Sequence, residues 1–132
     1  MAAAQSYASS PRFATGKLSA ANTARDGTGT IVTVFTAGGA GSRIESINIQ
    51  ATGPTTQGMV RLFVHDGTNS NLVGEVPVSP VTPSGTQPAF GVRLTTANLS
   101  DLLPLILPAG HSLRAAPNNA ETFNVIAVGG DF

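Results

Sequence analysis

The chain has 132 residues, no cysteine, and seven basic side chains against seven acidic ones, a formal net charge of zero. That length suits one domain able to bury a core without cross-links. The missing cysteines exclude disulfide and thiolate chemistry, and the neutral balance lacks the basic footprint of a nucleic-acid binder.

Charged residues make up 11% of the chain, against roughly a quarter of an average domain. Threonine, serine, asparagine and glycine must therefore cover much of the surface. Such a coat suits a protein that meets other protein surfaces, where desolvating charge is costly; a secreted or thermally rugged β domain would look the same.

Residues 1–20 are small and polar, with isolated Tyr7, Arg12, Phe13 and Lys17. They read as an N-terminal arm that cannot bury enough apolar surface to fold alone, ahead of one domain at 21–132. No basic stretch leads into an apolar one, so a signal peptide is not expected.

Thr30 to Thr36 (TIVTVFT) is rich in β-branched residues, preceded by the turn signal Asp26-Gly27 and followed by Gly38, Gly39 and Gly41. Ile47 and Ile49 alternate with Asn48 and Gln50. The spacing from Ile44 to Ile47 breaks that phase, which predicts a bulge near Glu45-Ser46. Val60, Leu62 and Val64 share a face, as do Phe90, Val92 and Leu94. Asn98 to Leu103 is the one helical candidate, a single turn capped by Asn98 or Ser100. Leu102 to Leu107 is continuously apolar but carries Pro104, which fits an edge or an irregular stretch. At well under 20 residues it is too short to span a membrane. Leu113 to Ala115 and Thr122 to Val128 complete about eight short strands. Their regular turn signals predict an all-β fold, a single jelly-roll-like antiparallel sandwich with the arm extended from it.

The stretch "RLFVHDGTNSNLVGEVPV", Arg61 to Val78, holds His65, one of two histidines, beside Asp66. It reads as a hairpin. Pairing Val64 with Leu72 sets Leu62 against Gly74 and Val60 against Val76 on the inner face. Arg61 then opposes Glu75, and Phe63 opposes Val73, on the outer face. Asp66-Gly67-Thr68-Asn69 is the turn. Its Asp66 carboxylate accepts local backbone bonds, and Gly67 and Asn69 tolerate positive φ. The second Asp-Gly-Thr, at Asp26, reads as another such turn.

A catalytic histidine needs a nucleophile held in a pocket, and no G-x-S-x-G elbow exists. A metal site needs converging ligands, yet His111 only follows a turn glycine. Gly38-Gly39-Ala40-Gly41 lacks the lysine and helix of a phosphate loop and reads as a hairpin connection. Asn118-Asn119-Ala120-Glu121 is too sparse in oxygens for calcium and reads as a turn. No cofactor and no enzymatic activity are expected.

Three segments, "NTARDGTGTIVTVFTAGGAGSRIESINIQATG", "GMVRLFVHDGTNS" and "LPAGHSLRAAPNNAETFNVIAVGGDF", resemble the small β-sandwich proteins of tailed-phage and prophage structural modules. The resemblance covers about residue 20 onward, and its motifs are strand and turn patterns. It implies a virion protein, most like the head decoration (cement) proteins that sit on the capsid surface, commonly as trimers, and brace the major capsid protein. It carries no active site; the neutral charge and the short apolar runs give no expectation of a nucleic-acid or membrane partner. A rival reading is a tail- or fibre-associated module that binds host glycans in a groove of aromatic and carboxamide side chains. The expected contact residues are Tyr7, Arg12, Phe13 and Lys17 in the arm, with Phe63 and Val73 on the outer face of the hairpin.

Overall fold

The structure, a computed structural model, describes residues 9–95 and 103–132. Nine strands follow in order: β1 (Ser10–Leu18), β2 (Val32–Thr36), β3 (Ser42–Ala51), β4 (Gly58–His65), β5 (Ser70–Val78), β6 (Gly91–Leu94), β7 (Leu105–Leu107), β8 (Ser112–Pro117) and β9 (Phe123–Asp131). One sheet has the order β1-β9-β3-β6, with β7 also on β3; the other runs β2-β8-β4-β5. Their inner faces pack together as an all-β antiparallel sandwich. The expected helical turn falls mostly on residues 96–102, outside the described residues.

The pairings nest around one point. β4 pairs with β5, β3 with β6 and β7, β2 with β8, and β1 with β9, all antiparallel. The chain is thus a ribbon doubled back at Asp66–Asn69 and wound across two sheets.

Alternating apolar positions supply the core. Ile47 and Ile49 of β3, Val60 and Leu62 of β4, Leu113 and Ala115 of β8, and Val125 and Ala127 of β9 are all buried in one cluster. Each large aliphatic side chain contributes about 1.5–3 kcal/mol by leaving water. The expected bulge on β3 is present. Ile44 opposes Gly129 and Ser46 opposes Val128, so Glu45 is the extra residue. That single insertion lets Ile44 and Ile47, three apart, both face inward.

The hairpin register holds in one half. Val60 opposes Val76, Arg61 opposes Glu75 and Leu62 opposes Gly74. Beyond Leu62 it shifts: Phe63 opposes Leu72 and Val64 opposes Asn71, leaving Val73 as an unpaired bulge residue. The expected Val64–Leu72 and Phe63–Val73 pairs are therefore absent. Asp66 does close the turn, its Oδ1 accepting from the backbone N–H groups of Thr68 (3.0 Å) and Asn69 (2.8 Å). Gly67 takes the positive φ of 98°, while no described non-glycine residue, Asn69 included, has one. The Asp26 turn repeats this, with its Oδ1 bonded to the Thr28 N–H.

The glycine stretch corrects another expectation. β2 and β3 lie in different sheets, so Gly38–Gly41 is a crossover between sheets and not a hairpin connection. Its turn is closed by a bond from Gly41 N to Gly38 O.

The largest correction concerns the arm. Ser10–Leu18 is no arm but an edge strand, in register with β9 from Ser10–Asp131 to Leu18–Phe123. It carries little apolar periodicity because its inward positions are Arg12, Ala14, Gly16 and Leu18. Gly16 sits where β1 meets β2, and a Cβ there would lie 3.1 Å from Val34 Cγ2.

Residues 19–31 form a strap across the outer face of the second sheet. Asn22 N bonds Pro117 O on β8 (2.8 Å), and Arg61 Nη1 on β4 donates to Asn22 O (3.0 Å). Arg25 Nε donates to Glu75 Oε2 on β5 (2.8 Å). Asn22 Nδ2 returns to the Thr28 and Thr30 carbonyls. On the face that the strap crosses, Phe63 is fully buried and Ala116 and Arg61 nearly so, all three outside the core cluster between the sheets.

Candidate functional site

Among the described residues the first sheet has no such strap, and its outer face holds the two most exposed large apolar side chains. β1 presents its residues with inverted polarity. Arg12 points between the sheets: its guanidinium carbon lies 4.4 Å from the centre of the Phe35 ring. Its Nη1 is 2.9 Å from Asp131 Oδ1 and its Nη2 donates to Thr36 O (3.2 Å). Phe13, the next residue, points outward and is 70% exposed.

Register extends the patch from Phe13. Phe13 opposes Val128 of β9, which opposes Ser46 of β3. In the next row Thr15, Ile126, Asn48 and Arg93 stand side by side on β1, β9, β3 and β6. Toward the other end, Ile106 of β7 faces Arg43 of β3 and is 51% exposed. Half-buried Val128 and Ile126 extend the apolar surface beside Phe13, while Gly130 and Arg43 lie between β1 and Ile106. A bare phenylalanine on a strand that could have buried it marks a contact surface more strongly than a scattered leucine would.

A groove of about 490 Å³ borders this patch, with Asn48, Gln50, Gly91, Arg93 and Ile126 among its walls. Gln50 Nε2 donates to the Ala51 and Phe90 carbonyls, while Asn48 Oδ1 is buried without a hydrogen-bond partner. Among the described residues no aromatic ring lines it.

One end of the sandwich is locked around Asp131. Besides Arg12, its carboxylate accepts from the Ser42 hydroxyl, and Ser42 Oγ accepts from Gly38 N. The Ser42 bond, assisted by Arg12, holds the Asp131 carboxyl below its ordinary value of 3.8. Gly38 packs against that carboxylate, so a Cβ there would lie 2.8 Å from Asp131 Cγ.

The expected contact residues divide accordingly. Phe13 and Lys17 are exposed on the bare face. Arg12 is turned inward and already bonded. Phe63, expected on an exposed outer face, is buried beneath the strap, and so is Arg61. Val73 is 37% exposed at the bulge of edge strand β5. Tyr7 lies outside the described residues. Ile106 was missed because LLPLIL reads as uniformly apolar; only the pairing with β3 shows which residue faces out.

The other motifs are structural in their contacts. His65 Nδ1 lies 3.0 Å from Ser70 Oγ across the hairpin. Asn118 Oδ1 accepts from Arg61, Asn119 Nδ2 donates to Thr56 Oγ1 and Gln57 O, and Glu121 Oε2 accepts from Thr56. Among the described residues no three His, Asp or Glu side chains converge as a metal site. No family model matches the sequence, and neither a curated protein nor a solved structure matches it.

Proposed function

We propose that this chain is a structural protein of a phage virion, a decoration protein that docks on the exterior of the head through the bare face of its first sheet. The observation that carries the reading is the inversion on β1, where half-buried Arg12 stacks on Phe35 and Phe13 is left 70% exposed. Aromatic side chains are favoured anchors at interfaces. The occupant we assign is the major capsid protein, in keeping with the sequence resemblance.

The nested pairing supports a jelly-roll reading of the sandwich, since first strand pairs with last and each inner pair follows in turn. The edges support docking through a face. β5 carries a bulge at Val73 and a proline at Pro77, β2 is bulged at Val34, and β1 begins Ser10-Pro11; each device discourages strand addition. A trimer on the capsid would multiply individually weak contacts.

A second reading, glycan binding by a tail or fibre module, draws on the carboxamides of Asn48 and Gln50 in one groove. The absence of an aromatic wall there ranks it below docking. Quantitative protein analysis of purified particles tests the main reading. We expect the chain on intact heads at a copy number comparable to the major capsid protein; presence only in tail fractions contradicts it.

A further inference from the structure

The strap at 19–31 covers apolar side chains with almost none of its own. Its one buried side chain is Asn22; Ala20 and Ala21 are exposed, and Ala24 and Ile31 are half-buried. It is fastened by four polar contacts to the sheet: Asn22 N to Pro117 O, Arg61 to Asn22 O, Arg25 to Glu75, and Arg25 Nη2 to Met59 Sδ. Yet Phe63 and Ala116 beneath it are as buried as the core itself.

We propose that residues 19–31 open as a unit while the sandwich stays folded, with Glu75 as the pin. Two features make this opening cheap relative to global unfolding. The strap's own internal bonds, from Asn22 Nδ2 to the Thr28 and Thr30 carbonyls and within the Asp26 turn, survive it. Arg61, the buried cation beneath, is not stranded either. It keeps Asn118 Oδ1 at 3.1 Å and Glu75 Oε2 at 3.2 Å from its Nε, an ion-pair contact whose angle is not that of a hydrogen bond. Both hinges are fixed, since Leu18 pairs with Phe123 and Val32 with Ala115. Segments with few buried apolar contacts and exposed polar bonds form the low-stability units of a fold.

Glu75 is the pin because its Oε2 meets two guanidiniums, Arg25 of the strap and Arg61 of the sheet. Removing its charge loosens the strap's far end without touching the core between the sheets. Opening uncovers Phe63 and Ala116, flanked by Arg61 and Arg114. The strap thus decides whether the molecule presents one apolar face or two. This holds whether or not the bare face docks on a capsid.

Native-state amide exchange on the full chain, with trypsin cleavage after Arg25, tests the proposal. The Asn22 amide, the strap amide bonded to the sheet, should exchange about 100-fold faster than amides of β3 and β9. Glu75→Gln should raise cleavage after Arg25 about tenfold while β3 and β9 keep their protection. An Asn22 amide that exchanges as slowly as those strands, or cleavage unchanged in Glu75→Gln, overturns it. Should Glu75→Gln lose core protection too, Arg25→Gln is read by exchange alone: faster Asn22 exchange supports the pin, and unchanged exchange refutes it.

Discussion

Arg12 and Phe13 are adjacent in sequence and opposite in environment. The guanidinium stacks on buried Phe35 and bonds Asp131, while the phenyl ring stands in solvent. A one-residue slip of β1 would bury Phe13, but it would bring side chains where Gly16 packs closely against β2. The inversion is therefore built into the register.

Arg12→Ala should lower thermal stability more than a surface substitution does. It loses a ring contact of about 0.5–1 kcal/mol, removes one of the two side-chain donors to Asp131, and leaves the Thr36 carbonyl without its Arg12 donor. Chemical denaturation of the two proteins measures the difference. Stability equal to wild type would mean that the inward arginine contributes nothing to anchoring β1.

Asp131 adds a pH dependence with a definite sign. Ser42 and Arg12 favour its charged form, so its folded value lies below the ordinary 3.8. Its contribution is present above the unfolded value and is lost as pH falls through the folded one. Unfolding of wild type and Asp131→Asn from pH 7 to pH 3 should show a gap that narrows as the solution is acidified below about 4. A gap that stays constant over this range would contradict the Ser42–Asp131–Arg12 network.

Glycines test the bulge on β3. A Cβ on Gly129 would lie 1.8 Å from the Arg43 carbonyl oxygen, while one on Gly39 meets nothing within 4 Å. Gly129→Ala should cost about 1–3 kcal/mol through displaced backbone, and Gly39→Ala within about 0.5 kcal/mol. Equal unfolding midpoints would show that β9 does not run so close to the bulge.

Arg61→Met preserves much of the volume under the strap and removes the donors to Asn22 O and Asn118 Oδ1. A loss of about 1–3 kcal/mol is expected for leaving such acceptors unpaired. No loss of stability would show that water replaces the guanidinium fully.

Much of this architecture is legible in the chain itself. The Ile44–Ile47 spacing announces the β3 bulge, and Val60, Leu62 and Val76 fix Arg61 opposite Glu75. The bulge at Val73 is not legible, because Leu72, Gly74 and Val76 keep an unbroken alternation. β1 escapes detection because its inward residues are an arginine, an alanine and a glycine before Leu18. That arginine's inward placement draws on Asp131, more than a hundred residues away in sequence, and on Phe35 and Thr36. The strap reads locally as a polar turn, and nothing in its composition says that it crosses Phe63. The bare face shares this limit: Phe13 is visible as an anchor, but its neighbour Val128 and the outward side of Ile106 come from pairing alone.

Docking of purified chain to bare heads, assembled from the major capsid protein of the same phage, tests the central claim most directly. Wild type should bind, and the double variant Phe13→Ser, Ile106→Ser should bind about tenfold or more weakly while its thermal unfolding is unchanged. Binding by the double variant equal to wild type, or no binding by wild type, would contradict docking through the bare face.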